Sequence, residues 1–421
     1  MKIKLLISIT FLIVVFGCTP GPKMPETPSN EVQPPTAVST SIITTESPKT
    51  PVQPTKGANS LDNWEMAKSC VTMYSTHPNG YELTGTLALR SLSSTTLGLS
   101  LSLLDLKSDS SKEIDTANQS IDDADVSPSG QTLAYQWFNN TTSKWEIVLL
   151  NSAGEQQKIA WSSSEQDFGL YGLSNDHQVI IVKDGIYFIV NPYQGLQEKY
   201  DPLDFPDFDT SSIRNFFVSF DLTARRAIYK HFDIIILDLN TKTIIARIKD
   251  TYDRSPIFDW QPSNGLIALV GSNTSIARPL GSPIPDEIFI VEQNGQVRQL
   301  THLYESFSQN LEINGLSWSP NGEQIAFWLN DGPSETLMVA DALTGRVVNY
   351  CISSDLFLFP IGLPAPIWSP DGNKLLVENR YAPDKNNPAQ NKSNLLIVDL
   401  QSKIAFPIAE NQNPAGWMIK P

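Results

Sequence analysis

Four aspartates crowd into one short run, Asp201, Asp204, Asp207 and Asp209 in KYDPLDFPDFDT. Carboxylates at that density are raw material for calcium, which takes six to eight oxygen ligands. The spacing is not that of an EF-hand loop, and no glycine supplies the sharp turn. A solvated acidic loop pinned by Phe205 and Phe208 explains the same residues and is the favoured reading, so no metal is expected. The four histidines, His77, His177, His231 and His302, have no partner at metal-ligand spacing, and HExxH is absent. No GxSxG elbow and no glycine-rich phosphate loop occurs, so no cofactor is expected. A glycan-active or hydrolytic enzyme would need one acid and one base flanking a substrate. Carboxylates are plentiful, but the sequence places none of them in a pair, and no catalytic residue is nominated.

Cysteine chemistry is more specific. Lys2 and Lys4 open the chain, and residues 5–17 (LLISITFLIVVFG) are almost wholly apolar. This run is too short to span a hydrocarbon core of roughly 30 Å comfortably and fits the apolar part of a secretory signal. It ends in Val15-Phe16-Gly17-Cys18, which resembles a bacterial lipobox. Its small Gly17 stands at the cleavage point, and its thiol can carry a diacylglycerol thioether. Residues 1–17 are therefore read as a lipoprotein signal peptide and Cys18 as the lipidated N-terminus of the mature chain. Residues 18–60 then form a Pro/Thr/Ser-rich tether with no aromatic residue, too poor in apolar surface to offset the entropy of ordering. The expected location is extracytoplasmic, periplasmic or on the cell surface, with the membrane contacted through lipid. Cys70 and Cys351 remain, and in an oxidising compartment they can pair.

The formal charge is −15, and removing residues 1–17 with their two lysines gives −17. So acidic a chain repels phosphate backbones, which argues against nucleic acid as a partner. About 360 residues follow the tether without a shift in composition, too many for one ordinary core. A repeat architecture resolves this. Trp318-Ser319-Pro320-Asn321-Gly322 matches Trp368-Ser369-Pro370-Asp371-Gly372, and each is followed by an alternating apolar run. Val126-Ser127-Pro128-Ser129-Gly130 and Trp260-Gln261-Pro262-Ser263-Asn264-Gly265 repeat the frame. Weaker copies start at Leu173 and Phe220, and Trp417 begins another. The lead residues are spaced by 47, 47, 40, 58, 50 and 49 positions, the period of propeller blades. Pro presets φ for the turn, and Asn-Gly or Asp-Gly accepts the positive φ of a tight hairpin. Seven third strands end near Asp or Asn: LSLLDL, EIVLLN, IYFIVN, IIILDL, IFIVEQ, LMVADA and LLIVDL.

Residues 61–421 are accordingly read as one all-β domain, a single β-propeller of seven four-stranded blades. The tail around Trp417 supplies the innermost strand of the first blade and closes the ring. A rival start, His77-Pro78-Asn79-Gly80, mimics the turn frame and would give that strand to residues 70–76. The WSPDG frame is similar to the WD-like repeats of TolB-type periplasmic propellers and of dipeptidyl-peptidase-type propellers. The resemblance covers about 120–420 and implies the fold. TolB-type proteins carry an α/β domain before the propeller, for which residues 19–84 leave no room.

The functional expectation is a monomeric binding or scaffold module that engages a protein, a peptide or an envelope polymer through one face. Alternatives are the enzyme using carboxylates of the central funnel and a solute-capturing lipoprotein. First-to-second and third-to-fourth turns are short throughout. Nearly all excess length falls in the other connections, near 200–213, 272–286, 301–313, 356–366 and 381–393. Long loops on a rigid scaffold are where binding concentrates. Asp204, Asp207, Arg278 and Tyr381 are the exposed candidates there. If Cys70 pairs with Cys351, the bridge ties the start of the domain across the seventh blade.

Overall fold

The computed structural model describes residues 66–92, 99–114, 121–205, 216–221, 225–230, 233–248, 257–262, 264–272, 285–307, 311–330, 332, 334–355, 363–381 and 392–419. Calls on the sequence that fall elsewhere, including Cys18, Asp207, Asp209, Arg278 and His231, lie outside these residues. The described chain is almost entirely antiparallel strand, with single-turn 3-10 helices at Pro202–Asp204 and Leu303–Glu305. Seven four-stranded units follow in order, and they form a seven-bladed β-propeller.

Blade 1 is composite. Its innermost strand is Asn413–Met418, paired antiparallel with Thr86–Leu92, and Leu99–Asp105 and Ser110–Glu113 complete it. The C-terminal strand therefore closes the ring, and the rival start at His77 is not used. Blade 2 begins at Ile121–Val126, blade 3 at Phe168–Asn175, blade 4 at Phe216–Asp221, blade 5 at Phe258–Trp260, blade 6 at Glu312–Trp318 and blade 7 at Ile367–Trp368.

Local chemistry explains why each repeat folds alike. In the S-P-x-G turns the serine Oγ accepts the backbone N–H five residues on: Thr132 at 3.1 Å, Gln324 at 2.9 Å and Lys374 at 2.9 Å. The glycine N–H returns to the serine carbonyl at 2.8 Å in all three turns. Those glycines have φ of 71–74°, a region that a Cβ disfavours. The residue ending the third strand closes the next turn in the same way. Asp105, Asn151, Asn191, Asp238, Asp341 and Asp399 each accept a backbone N–H two or three residues on, at 2.6–3.1 Å. These are Asx turns, which is why Asp and Asn recur there.

The lead residues cement the ring. Trp260 packs in a cluster shared by blades 4 and 5, Trp318 in one shared by blades 5 and 6, Trp368 in one shared by blades 6 and 7 and Trp417 in one shared by blades 7 and 1. Each side chain thus lies in the seam between its own blade and the preceding one. A tryptophan brings about 150–250 Å² of surface to such a seam, so these four act as large wedges between neighbouring blades.

The segment before blade 1 was invisible in the pattern. Met66–Lys68 adds a fifth, parallel strand to the outer edge of blade 6, and Thr72–Met73 does the same on blade 7. Backbone bonds run from Ser69 N to Asn349 O at 2.9 Å and from Tyr74 N to Ala405 O at 2.7 Å. Between these two strands Cys70 forms a disulfide with Cys351, with Cα atoms 4.8 Å apart. Cys351 lies inside the outer strand Val347–Asp355. The strap then packs His77 and Tyr81 edge-on against Phe406 at 4.9 and 5.4 Å and enters blade 1.

Candidate functional site

A propeller offers three places for function: two faces and the axial channel. The face carrying the S-P-x-G and third-to-fourth turns is uniform, as 127–131, 319–323 and 369–373 and 106–109, 152–155 and 239–242 illustrate. The opposite face holds connections of very unequal length, from Asp184–Gly185 in blade 3 to 201–215, 273–285, 300–311, 356–366 and 382–391. Asp204 is exposed, but Lys242 Nζ, from the blade 4 turn at 239–242 that belongs to the uniform face, donates to its Oδ2 at 2.9 Å, so Asp204 is drawn toward that turn rather than presented with the long connections. Asp201 Oδ1 caps the Pro202–Asp204 turn by accepting Leu203 N at 3.1 Å, and Lys199 lies 3.8 Å from its other oxygen. Both carboxylates thus have protein partners. Among the described residues no group of three His, Cys, Asp or Glu side chains could hold a metal. Tyr381 is half-buried at the end of Lys374–Tyr381, paired with Lys392.

The unequal face rests on buried polar anchors that the sequence did not reveal. Gln136 Oε1 accepts Leu170 N at 2.7 Å, Asp286 Oδ2 accepts Ile313 N at 2.8 Å, and Glu335 Oε2 accepts Leu363 N at 3.1 Å. In each case a side chain of one blade receives the strand or connection leading into the next. Glu287 is the most heavily used. Its carboxylate accepts Thr301 Oγ1 at 2.6 Å, Leu303 N at 3.0 Å and Tyr304 N at 3.1 Å, which pins the 3-10 turn of the blade 5 to blade 6 connection. Burial outweighs these donors and pushes its carboxyl up to about 8.

Carboxylates also line the inner strands. Asp125 Oδ2 accepts Leu173 N from blade 3 at 2.7 Å, and Asp259 Oδ2 accepts Trp318 N from blade 6 at 2.7 Å. The same position in blade 4, Ser219, receives Trp260 Nε1 at 2.9 Å, and the carbonyl of Ser317 receives Trp368 Nε1 at 3.2 Å. At these four positions the residue before the lead residue latches the lead residue of the following blade. Burial raises Asp125 to about 6, with Leu173 N–H and Arg90 opposing and Asp123 adding to the rise. Burial raises Asp259 to about 7 against the Trp318 and Trp260 N–H groups. Both groups serve seams between blades.

These shifts fix a pH dependence. Asp125, Asp259 and Glu287 have folded values above the unfolded ones of 3.8 and 4.5, so the folded chain binds their protons more tightly. The stability they confer is complete below the unfolded value and is lost as pH rises through about 6, 7 and 8. Lys183 beside Asp167 and Arg225 beside Glu198 hold those carboxyls low, so they act only at the acid end. The melting temperature is expected to fall from about pH 5 to about pH 8.5, and Asp259→Asn should flatten that slope. Scanning calorimetry across this range checks it; a rising Tm would show the assignment to be wrong.

One cavity of about 340 Å³ opens on the uniform face, where blades 7 and 1 meet. Thr84, Gly85, Lys107, Pro370, Lys374 and Trp417 are among its lining residues. Trp417 Nε1 donates to Thr84 O at 3.2 Å, and a Cβ on Gly85 would lie 2.6 Å from that indole nitrogen. The long connections lie on the other face, and no motif in the sequence marks this seam.

No family model and no curated protein matches the sequence. Several solved structures are similar at low identity. TolB from Acinetobacter baumannii is 16% identical with a TM-score of 0.40 over 78% of this chain and 63% of its own. The chain thus spans less than two thirds of that protein. The Cps50 (Swd1) β-propeller domain of Myceliophteria thermophila is 13% identical, TM-score 0.44, over 72% of this chain and 96% of its own. A putative 6-phosphogluconolactonase from Bacteroides uniformis is 10% identical, TM-score 0.47, over 80% and 100%. The seven-bladed fold rests on the strand pairing of this chain, and its function on its own residues.

Proposed function

We propose that this protein is a non-enzymatic binding module, held at the outer side of a membrane by lipid on Cys18, that engages a protein or peptide through the face with unequal connections. The observation that supports this reading is the asymmetry of the two faces. Turns on one side are uniform and closed by Ser, Asp and Asn side chains. Connections on the other run from two residues at Asp184–Gly185 to the spans 201–215 and 273–285. Longer loops cost closure entropy and add little core, so folding alone does not favour them. Glu287, Glu335 and Asp286 spend buried hydrogen bonds to hold the roots of these connections, which suits a rigid base for recognition.

The test replaces 273–285 and 382–391 by two-residue turns. Capture of a partner from envelope extract should be lost while the melting temperature moves by no more than about 3 °C, since connecting loops carry less of a domain's stability than its strands. Retained capture, or an envelope polymer bound in place of a protein, would reject this form of the proposal. Lipidation is tested separately: Cys18→Ala should move the chain from the membrane to the soluble fraction.

A further inference from the structure

Blade 1 differs from the other six in one covalent respect. Elsewhere a turn joins the innermost strand to the second, as 127–131, 319–323 and 369–373 do. In blade 1 these strands come from opposite ends of the domain, Asn413–Met418 and Thr86–Leu92, and no turn joins them. The cavity of about 340 Å³ occupies that place. Its walls are the two chain ends (Thr84, Gly85, Trp417 and Ile419), the blade 7 turn from Ser369 to Asp371 with Lys374, and Lys107 from the blade 1 outer turn. These walls are fixed. Ile419 N donates to Gly130 O at 2.9 Å, Leu106 N to Gly85 O at 3.1 Å, and the Trp417 indole to Thr84 O at 3.2 Å.

We propose that this seam cavity binds a small organic monoanion, a carboxylate carrying an apolar body. Its volume is within the range of ligand pockets, and Trp417, Pro370 and Ile419 give it an apolar wall. Two ammonium groups line it. Lys374 shares its charge with Asp371 at 3.4 Å, whereas no hydrogen bond or ion pair among the described residues engages the Lys107 ammonium. Among the side chains that line it, two lysines against Asp371 leave one positive charge, centred on Lys107 because Lys374 also faces Asp399, on a chain of formal charge −15. One carboxylate balances it, and a phosphate dianion would face Asp371. Lys107 is presented by a closed Asx turn, its own N–H bound to Asp105 Oδ1 at 2.9 Å, so its backbone is preorganised.

This site lies on the face opposite the connections invoked for partner binding, so either reading can fail without the other. The test titrates the full chain with phenylacetate, 3-phenylpropionate, indole-3-acetate and isovalerate by calorimetry. An indole N–H spectrum follows the Trp417 environment. Phenylacetamide, benzylammonium and inorganic phosphate are the comparators. At least one carboxylate should bind and shift a single indole resonance, with its amide at least about tenfold weaker. Lys107→Gln, an exposed change that leaves the melting temperature in place, should weaken the carboxylate by about tenfold or more. The proposal is overturned if none of the four acids binds below about 10 mM, if acid and amide bind alike, if phosphate binds as tightly, or if Lys107→Gln changes nothing.

Discussion

Cys351→Ser is expected to cost up to about 5 kcal/mol of unfolding free energy, a large share of the total stability of a domain. The bridge joins residues 281 positions apart, a loop that contains almost the whole ring. Opening it restores to the unfolded chain the freedom that the cross-link removed, and this term grows with the logarithm of loop length. A second, local effect follows from the strap. Met66–Lys68 and Thr72–Met73 are strands of three and two residues on outer edges, too short to hold without the covalent pin between them. The amides of Ser69, Val71, Thr72 and Tyr74 should therefore lose hydrogen-exchange protection in Cys351→Ser well before the blades do. On the reading that lipid on Cys18 anchors the chain, any pull from the membrane enters at this strap and passes through the bridge into blade 6. Urea unfolding of the oxidised, reduced and substituted proteins measures the global term. A difference below about 1 kcal/mol would mean that the ring is held without the bridge.

What the sequence disclosed and what it hid divide along a physical line. The Ser319 and Ser369 turns, the Asx turns at Asp105 and Asp341 and the lead tryptophans were legible because their chemistry is completed within a few residues, and seven repetitions amplify it. Ring closure by Trp417 was legible because a lone lead residue at the C-terminus needs a partner. The strap was not, since Met66-Ala67-Lys68 carries no alternation. A parallel edge strand needs only backbone, which every sequence supplies. Glu287, Glu335 and Asp286 stood among many acids, and the backbone groups that they receive lie 16, 28 and 27 residues away. Their only signal was an acid at the start of a buried third strand, where charge is costly. The seam cavity had none at all, because it is made by two chain ends that meet only in the closed ring.

Glu287→Ala is expected to destabilise the domain by about 3–5 kcal/mol. Glu287 and Leu303 are both fully buried, so little water can replace the carboxylate. Truncation leaves the Thr301 hydroxyl and the Leu303 and Tyr304 N–H groups without the acceptor they now share, and each stranded donor costs about 1–3 kcal/mol. Glu287→Gln separates this from a general packing defect. Its amide oxygen can still receive Thr301 and Leu303, while its NH₂ faces the Tyr304 N–H, so the cost should be about 1–2 kcal/mol. The same substitution removes a group whose burial holds it at about 8, so Glu287→Gln should also lose part of the alkaline fall in stability. Urea unfolding at about pH 5.5 and about pH 8.5 reads both effects together. Because the pinned turn roots the 300–311 connection, Glu287→Ala should in addition weaken partner capture at a temperature where the ring remains folded. An alanine variant within about 1 kcal/mol of the parent would show that water enters and takes the carboxylate's place. The unequal face would then lack the rigid base argued for it.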